Sequence, residues 1–158
     1  MSWRTAKGEK WEAIKGDIAH DRLKSGIANG TIQGVLAWVG KEPVGWCTFG
    51  PRRSFPRLDR APSLACEDAD VVWSIPCFYV RPGFRGKGVA TALLKKALEI
   101  MKARGAGIVE GYPSKPGKDG NYVAAFSWTG TRSLFANLGF TPAGNEDGGK
   151  MRVRKPLR

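Results

Sequence analysis

Arg85, Gly86, Lys87 and Gly88 stand between an apolar run and an amphipathic one, and glycines and cations in so short a space point to anion binding. The order is a strand, then Arg85-Gly86-Lys87-Gly88-Val89-Ala90, then a helix. That order aims several backbone N–H groups and the positive end of a helix dipole at one spot. Such a spot binds phosphate. Glycine at 86 and 88 removes the Cβ atoms that would hold an anion away and permits unusual dihedrals, while Arg85 and Lys87 add charge nearby. An isolated GxG also serves as a plain strand-to-helix turn with solvated cations, so the surroundings must decide. GxxxxGK[ST] is absent and no GxGxxG opens the helix, which sets aside two familiar nucleotide loops.

The elements around the loop can be read from residue pattern. Val71 to Val80 predicts a buried strand, with Pro76 marking an edge or a bulge because it donates no ladder hydrogen bond. Leu93, Leu94, Ala97, Leu98 and Met101 recur at helical spacing with lysines opposite, and Gly105 is a natural C-cap. Upstream, residues 9 to 29 predict one or two short helices ending at Asn29-Gly30. Gln33 to Val39 and Val44 to Phe49 predict an antiparallel hairpin across "GKEP". Residues 51 to 70 hold three prolines and alternating charge without a period, a long excursion of the kind that is functional or mobile. "GIVEGYP" reads as a short strand, "SKPGKDGNY" as a flexible link, residues 126 to 138 as a helix, and "KMRVRKPL" as a last edge-like strand before Pro156.

At 158 residues the chain fits one domain, 1–158, with a substantial core, and 42% hydrophobic with 25% charged residues argues against wholesale disorder. The 26 Lys and Arg against 14 Asp and Glu leave a formal charge of +12, which favours an anionic partner: nucleic acid, a membrane surface or a polyphosphate ligand. Cys47, Cys66 and Cys77 are odd in number and form no CxxC pair, so no disulfide framework, zinc site or other metal site is indicated. With a polar N-terminus and no run near the roughly 20 apolar residues of a membrane span, a soluble, cytoplasmic protein is expected. A basic nucleic-acid-binding module stays as an unfavoured alternative, because the cations are scattered and no RNA-binding aromatic signature occurs.

The loop matches the R/Q-x-x-G-x-G/A signature of the GNAT superfamily of acetyl-CoA-dependent N-acetyltransferases through Arg85, Gly88 and Ala90. The resemblance runs upstream through "CFYVRP", downstream through "ATALLKKAL", and on to "SLFANLGF", which is similar to the family's late "LYxxxGF" segment. It covers about residues 31 to 154. It implies an α/β (α+β) fold with a mixed, mostly antiparallel central sheet of about six strands, a splayed parallel pair and flanking helices. The family's usual opening strand has no counterpart in residues 1 to 30, so that edge is absent or the chain is shorter than its relatives.

The resemblance also assigns roles. The pyrophosphate of the co-substrate acetyl-CoA is expected on the amides of residues 86 to 91 (Gly86, Lys87, Gly88, Val89, Ala90 and Thr91) beside Arg85. Its pantetheine arm is expected to pair with backbone groups of Phe78 and Val80, as an added strand would. Acetyl transfer to a primary amine asks for a proton acceptor and oxyanion stabilisation, with a backbone N–H between Phe78 and Val80 serving the oxyanion. Glu110 matches the glutamate that ribosomal-protein N-terminal acetyltransferases carry on this strand and is the candidate base. Phe135 replaces the tyrosine that often acts as general acid, and Ser74 sits where other members place a carboxylate; Tyr112 is the candidate donor in their stead. Because the acid is displaced, a GNAT-like domain that binds acyl-CoA without efficient turnover is a second reading. Dimers are common among similar proteins, so a homodimer fits. Trp38, Trp46 and Trp73 read as core or sheet-face residues, Trp128 lies near the expected cofactor edge, and Glu67, Asp68 and Asp70 either steer a cationic amine or are solvated.

Overall fold

The computed structural model describes residues 1–116, 120, 128–144 and 150–157. Two helices, α1 (Trp11–Ile14) and α2 (Asp17–Ala28), precede the sheet, and the chain leaves α2 through Asn29 and Gly30, where φ is +75°. Residues 1–32 contain no strand, in keeping with the expected lack of an opening strand. β1 (Gln33–Val39) and β2 (Glu42–Pro51) form the hairpin; the turn is Gly40-Lys41 alone, because Glu42 and Pro43 already pair with Val39 and Trp38. β3 (Val72–Val80) leads through the glycine loop to α3 (Val89–Ala103), followed by β4 (Ile108–Gly111), α4 (Arg132–Ala136), β5 (Thr141–Pro142) and β6 (Val153–Pro156).

The six strands form one sheet in the order β1-β2-β3-β4-β6-β5, antiparallel except for the parallel pair β3/β4. This is the mixed α/β architecture expected. The β2/β3 register slips between Thr48 and Gly50, which pair with Cys77 and Ser74, so Pro76 sits in a bulge where its missing N–H costs no ladder bond. α3 turns Leu93, Leu94, Ala97 and Met101 onto the sheet, where they join Cys47, Phe49, Ile75 and Val109 in the main core. Each buried Leu, Met, Ile, Val or Phe among them contributes about 1.5–3 kcal/mol.

Several expectations change. The last strand is interior, not an edge, because the two-residue β5 pairs outside it; Pro156 is tolerated since β5 reaches only Val153 and Arg154. The late helix is shorter: residues 126–127 lie outside the described residues, Gly130 has φ +88°, and extended Thr131 caps a helix of Arg132–Ala136 by accepting from the Leu134 N–H at 3.2 Å. The link expected over 114–122 is described only in part, and Ser114 there bridges in parallel to Thr131. The excursion 51–70 is folded, not loose. Three short 3₁₀ turns bury Arg52 and set Phe55, Leu58 and Leu64 with Trp3 and Tyr112 in a second apolar cluster.

Candidate active site

α3 opens at Gly88, which is left-handed at φ +80° and makes no side-chain cap. The first α3 bond runs from the Ala92 N–H to the Gly88 carbonyl at 3.0 Å, so the N–H groups of Val89, Ala90 and Thr91 are left for an outside acceptor. Gly86 is also left-handed, at φ +71°, and a Cβ added at 86 or 88 would meet nothing within 4 Å. The glycines are therefore required by backbone conformation, and the space before them is open. The Arg85 Nε donates to the Val80 carbonyl at 3.0 Å, and Lys87 Nζ lies 5.8 Å from the Phe84 ring centre.

These amides border a cavity of about 750 Å³. One wall is the end of β3 (Phe78, Tyr79, Val80), the next is the loop and α3 start (Phe84, Arg85, Gly86, Gly88, Val89, Ala90, Thr91), and the third is Trp128 with the α4 region (Gly130, Thr131, Ser133, Leu134, Asn137). The cavity exists because β3 and β4 pair only from Val72–Ile108 to Ile75–Gly111 and then part. Since the Arg81 N–H donates to Val44 on β2, strand alternation turns the backbone groups of Val80 and Phe78 toward the gap. They are not all free there, as the resemblance implied. The Phe78 N–H donates to the Trp128 carbonyl at 2.6 Å, and the Val80 carbonyl accepts from Arg85, which leaves the Val80 N–H facing the gap.

Behind the β3/β4 junction lies a different arrangement. Glu110 is 0% exposed: its Oε1 accepts from Arg52 Nη1 at 2.8 Å, and its Oε2 from Arg154 Nε at 2.7 Å and Arg152 Nη1 at 3.4 Å. Arg52, 1% exposed, also donates to the Tyr112 hydroxyl at 2.8 Å, to Asp59 at 3.0 Å and to the Leu64 carbonyl. The Tyr112 oxygen accepts from Arg52 and shares a second hydrogen bond with Ser74 Oγ at 2.6 Å, in which either hydroxyl can donate. Burial, seconded by the Glu110 carboxylate, pushes the Tyr112 phenol well above its usual range. Arg154 continues the network to Asp68 at 2.8 Å, and its hydrogen bonds hold that carboxyl well below the usual carboxylate range. Asp70 pairs with Arg53, so two of the three acidic loop residues serve ion pairs.

The structure thus brings Phe78, Val80, Arg85, Gly86, Gly88, Val89, Ala90 and Thr91 to one cavity, with Lys87 on the same loop but off the wall. Glu110 and Tyr112 are held apart from that wall in the buried network, and Phe135 is fully buried, edge-on to Phe78 and Phe140. Arg52 was missed, because nothing in "PRRSFPRL" marks one arginine for burial. Thr131, Ser133 and Asn137 were missed too, although the Thr131 cap before an apolar run was a usable signal. Among the described residues no cluster of three potential metal-ligating side chains occurs, and no helix is long and apolar enough to cross a membrane.

A six-stranded mixed sheet whose parallel pair parts beside a glycine loop at a helix N-terminus defines the class: an acyltransferase. The acetyltransferase (GNAT) family model matches residues 2–113, and the chain belongs to that family. Among solved structures it is similar to ribosomal-protein-alanine N-acetyltransferase from Brucella melitensis (19% identity, TM-score 0.59, covering 94% of this chain and 83% of that one). It is also similar to the phosphinothricin acetyltransferase of Sinorhizobium meliloti in complex with acetyl-CoA (17%, 0.57, 90% and 70%). A third is PaiA N-acetyltransferase from Thermoplasma acidophilum in complex with coenzyme A (17%, 0.55, 99% and 85%). No curated protein sequence matches the chain.

Proposed function

We propose that residues 1–158 form one acetyltransferase domain that carries an acetyl group from acetyl-CoA to a primary amine by direct attack within a ternary complex. The observation that carries this reading is the cavity bounded on one side by the parted end of β3 and on the other by the open amides of α3. Its volume suits a cofactor-sized ligand. Acetyl-CoA supplies an activated acyl thioester. The amides of residues 86 to 91, with the charges of Arg85 and Lys87, suit its pyrophosphate. The Val80 N–H and the Phe78 carbonyl suit a pantetheine amide. That similarly folded enzymes were solved with acetyl-CoA or coenzyme A supports the assignment. The three free cysteines favour a reducing, cytoplasmic setting.

Glu110 takes a different part from the one its sequence position suggested. A general base must reach the proton it removes with an oxygen free to accept it. Both Glu110 oxygens are taken by guanidinium groups. In our reading Glu110 and Arg52 are positioning residues: they fix Tyr112 and Ser74 at the point where β3 leaves β4.

One observation favours the second reading, an acyl-CoA-binding domain with little turnover. Among the described residues the cavity wall carries no carboxylate and no histidine. A panel of primary amines, scored by free-thiol release from acetyl-CoA and paired with calorimetric binding, separates the two. Amine-dependent thiol release supports transfer; coenzyme A binding with no release from any amine supports the second reading.

A further inference from the structure

We propose that β1 is the surface through which two copies of this chain join, edge to edge, into one continuous sheet. β1 ends the sheet order, and among the described residues no strand pairs with its outer side. Strand edges are ordinarily protected by charge, proline or a covering element. Here the ten residues from Thr31 to Gly40, TIQGVLAWVG, contain no charge and no proline. The hairpin bulge lies in β2, where Val44 is the extra residue between partners of Ala37 and Trp38, so β1 keeps its alternation.

That alternation sorts the side chains. Val35 and Ala37 face the α3 side and pack on the main core, while Leu36 and Trp38 point the opposite way and are 51% and 56% exposed. Across the sheet Leu36 neighbours Trp46, which neighbours Tyr79, itself 54% exposed, so an uncharged apolar row reaches inward from the edge.

A second copy suits this surface better than a different partner, for three reasons. A chain carrying +12 repels its own kind except where neither copy presents charge, and this edge is such a place. An antiparallel pairing centred on Leu36 is self-complementary, as a two-fold interface must be. It sets Trp38 beside Gly34 of the second copy, where the missing side chain makes room for the Trp46 ring; a Cβ at Gly34 would run into that ring. The half-exposed side chains with the strand backbone supply roughly 500 Å² per copy, so the pair approaches the ~1,000 Å² at which specific interfaces begin.

Light scattering coupled to gel filtration on the full chain tests this. The wild type is expected to run at twice the 17.2 kDa of one chain. Leu36→Lys and Trp38→Lys are expected to run at the single-chain mass with unchanged circular dichroism and a melting temperature that no longer depends on protein concentration; using both guards against one misfolding. Ile27→Lys, on the exposed face of α2, should leave the dimer intact. A wild type that stays single at about 100 μM, a dimer that survives both β1 variants, or one that Ile27→Lys dissolves would overturn the proposal. Single chains that instead bind anionic vesicles through Trp38 would also overturn it and give the edge to a membrane.

Discussion

The Phe78 N–H donates to the carbonyl of Trp128 at 2.6 Å, so the place where β3 leaves β4 is bridged by the chain's own backbone. The Trp128 ring sits 5.5 Å from that of Trp3 and lines the cavity on its other side. A ligand that pairs with β3 here must part this bond or pass beside it, and either changes the surroundings of the indole. Titration with coenzyme A is expected to change tryptophan emission, with Trp128→Phe losing most of the change. Equal changes in both proteins would contradict the bridge's place in the site.

Glu110→Gln separates a positioning role from a base. The substitution leaves three guanidiniums, Arg52, Arg152 and Arg154, with only the carboxylates of Asp59 and Asp68 around a buried site, which costs up to about 3–5 kcal/mol. Urea unfolding should show that loss, and coenzyme A affinity of the folded fraction should stay near the parent's. A stability within about 0.5 kcal/mol of the parent, with a rate at least a hundredfold lower, would return Glu110 to the base.

Phe135→Tyr does not restore an acid. The ring lies in the core against the backbone of Gly111 and Gly130, where a Cβ would collide with it. A hydroxyl there enters an apolar site and costs about 1–3 kcal/mol. Thermal unfolding should fall accordingly with no gain in thiol release, whereas a faster, undiminished enzyme would place the ring's edge at the chemistry.

Asp68 contributes to acid stability. Its carboxyl is held down by hydrogen bonds from Arg154, so the folded state binds fewer protons than the unfolded one as pH falls below about 4. The stabilisation is complete above that pH and is lost as pH drops through the lower folded value. Asp68→Asn should therefore flatten the dependence of unfolding free energy on pH between about 2 and 5. A slope unchanged from the parent's would mean that the pair contributes nothing in solution.

The parts legible in sequence were those with a local cause. Gly86 and Gly88 are glycines because φ is positive there, and Leu93, Leu94, Ala97 and Met101 share a face because helices have a fixed period. Gln33 to Val39 was read to the residue for the same reason, as alternation is written in neighbours. What escaped depends on distant partners. Arg52 meets Glu110 across 58 positions, and one arginine among several carries no mark of that meeting. The last strand was read as an edge because Thr141 and Pro142, which cover it, are too few to show a pattern. Glu110 was placed on the right strand, yet its surroundings come from three arginines supplied by other elements.

Calorimetric titration of coenzyme A into the wild type, Gly88→Val and Gly105→Val tests the central assignment most directly. Both glycines are left-handed, at φ +80° and +83°, so each valine imposes similar backbone strain, but only Gly88 borders the cavity. The account predicts binding to the wild type and to Gly105→Val, and a loss of at least tenfold, about 1.4 kcal/mol, in Gly88→Val. No binding to the wild type, or equal affinity in all three proteins, would contradict it.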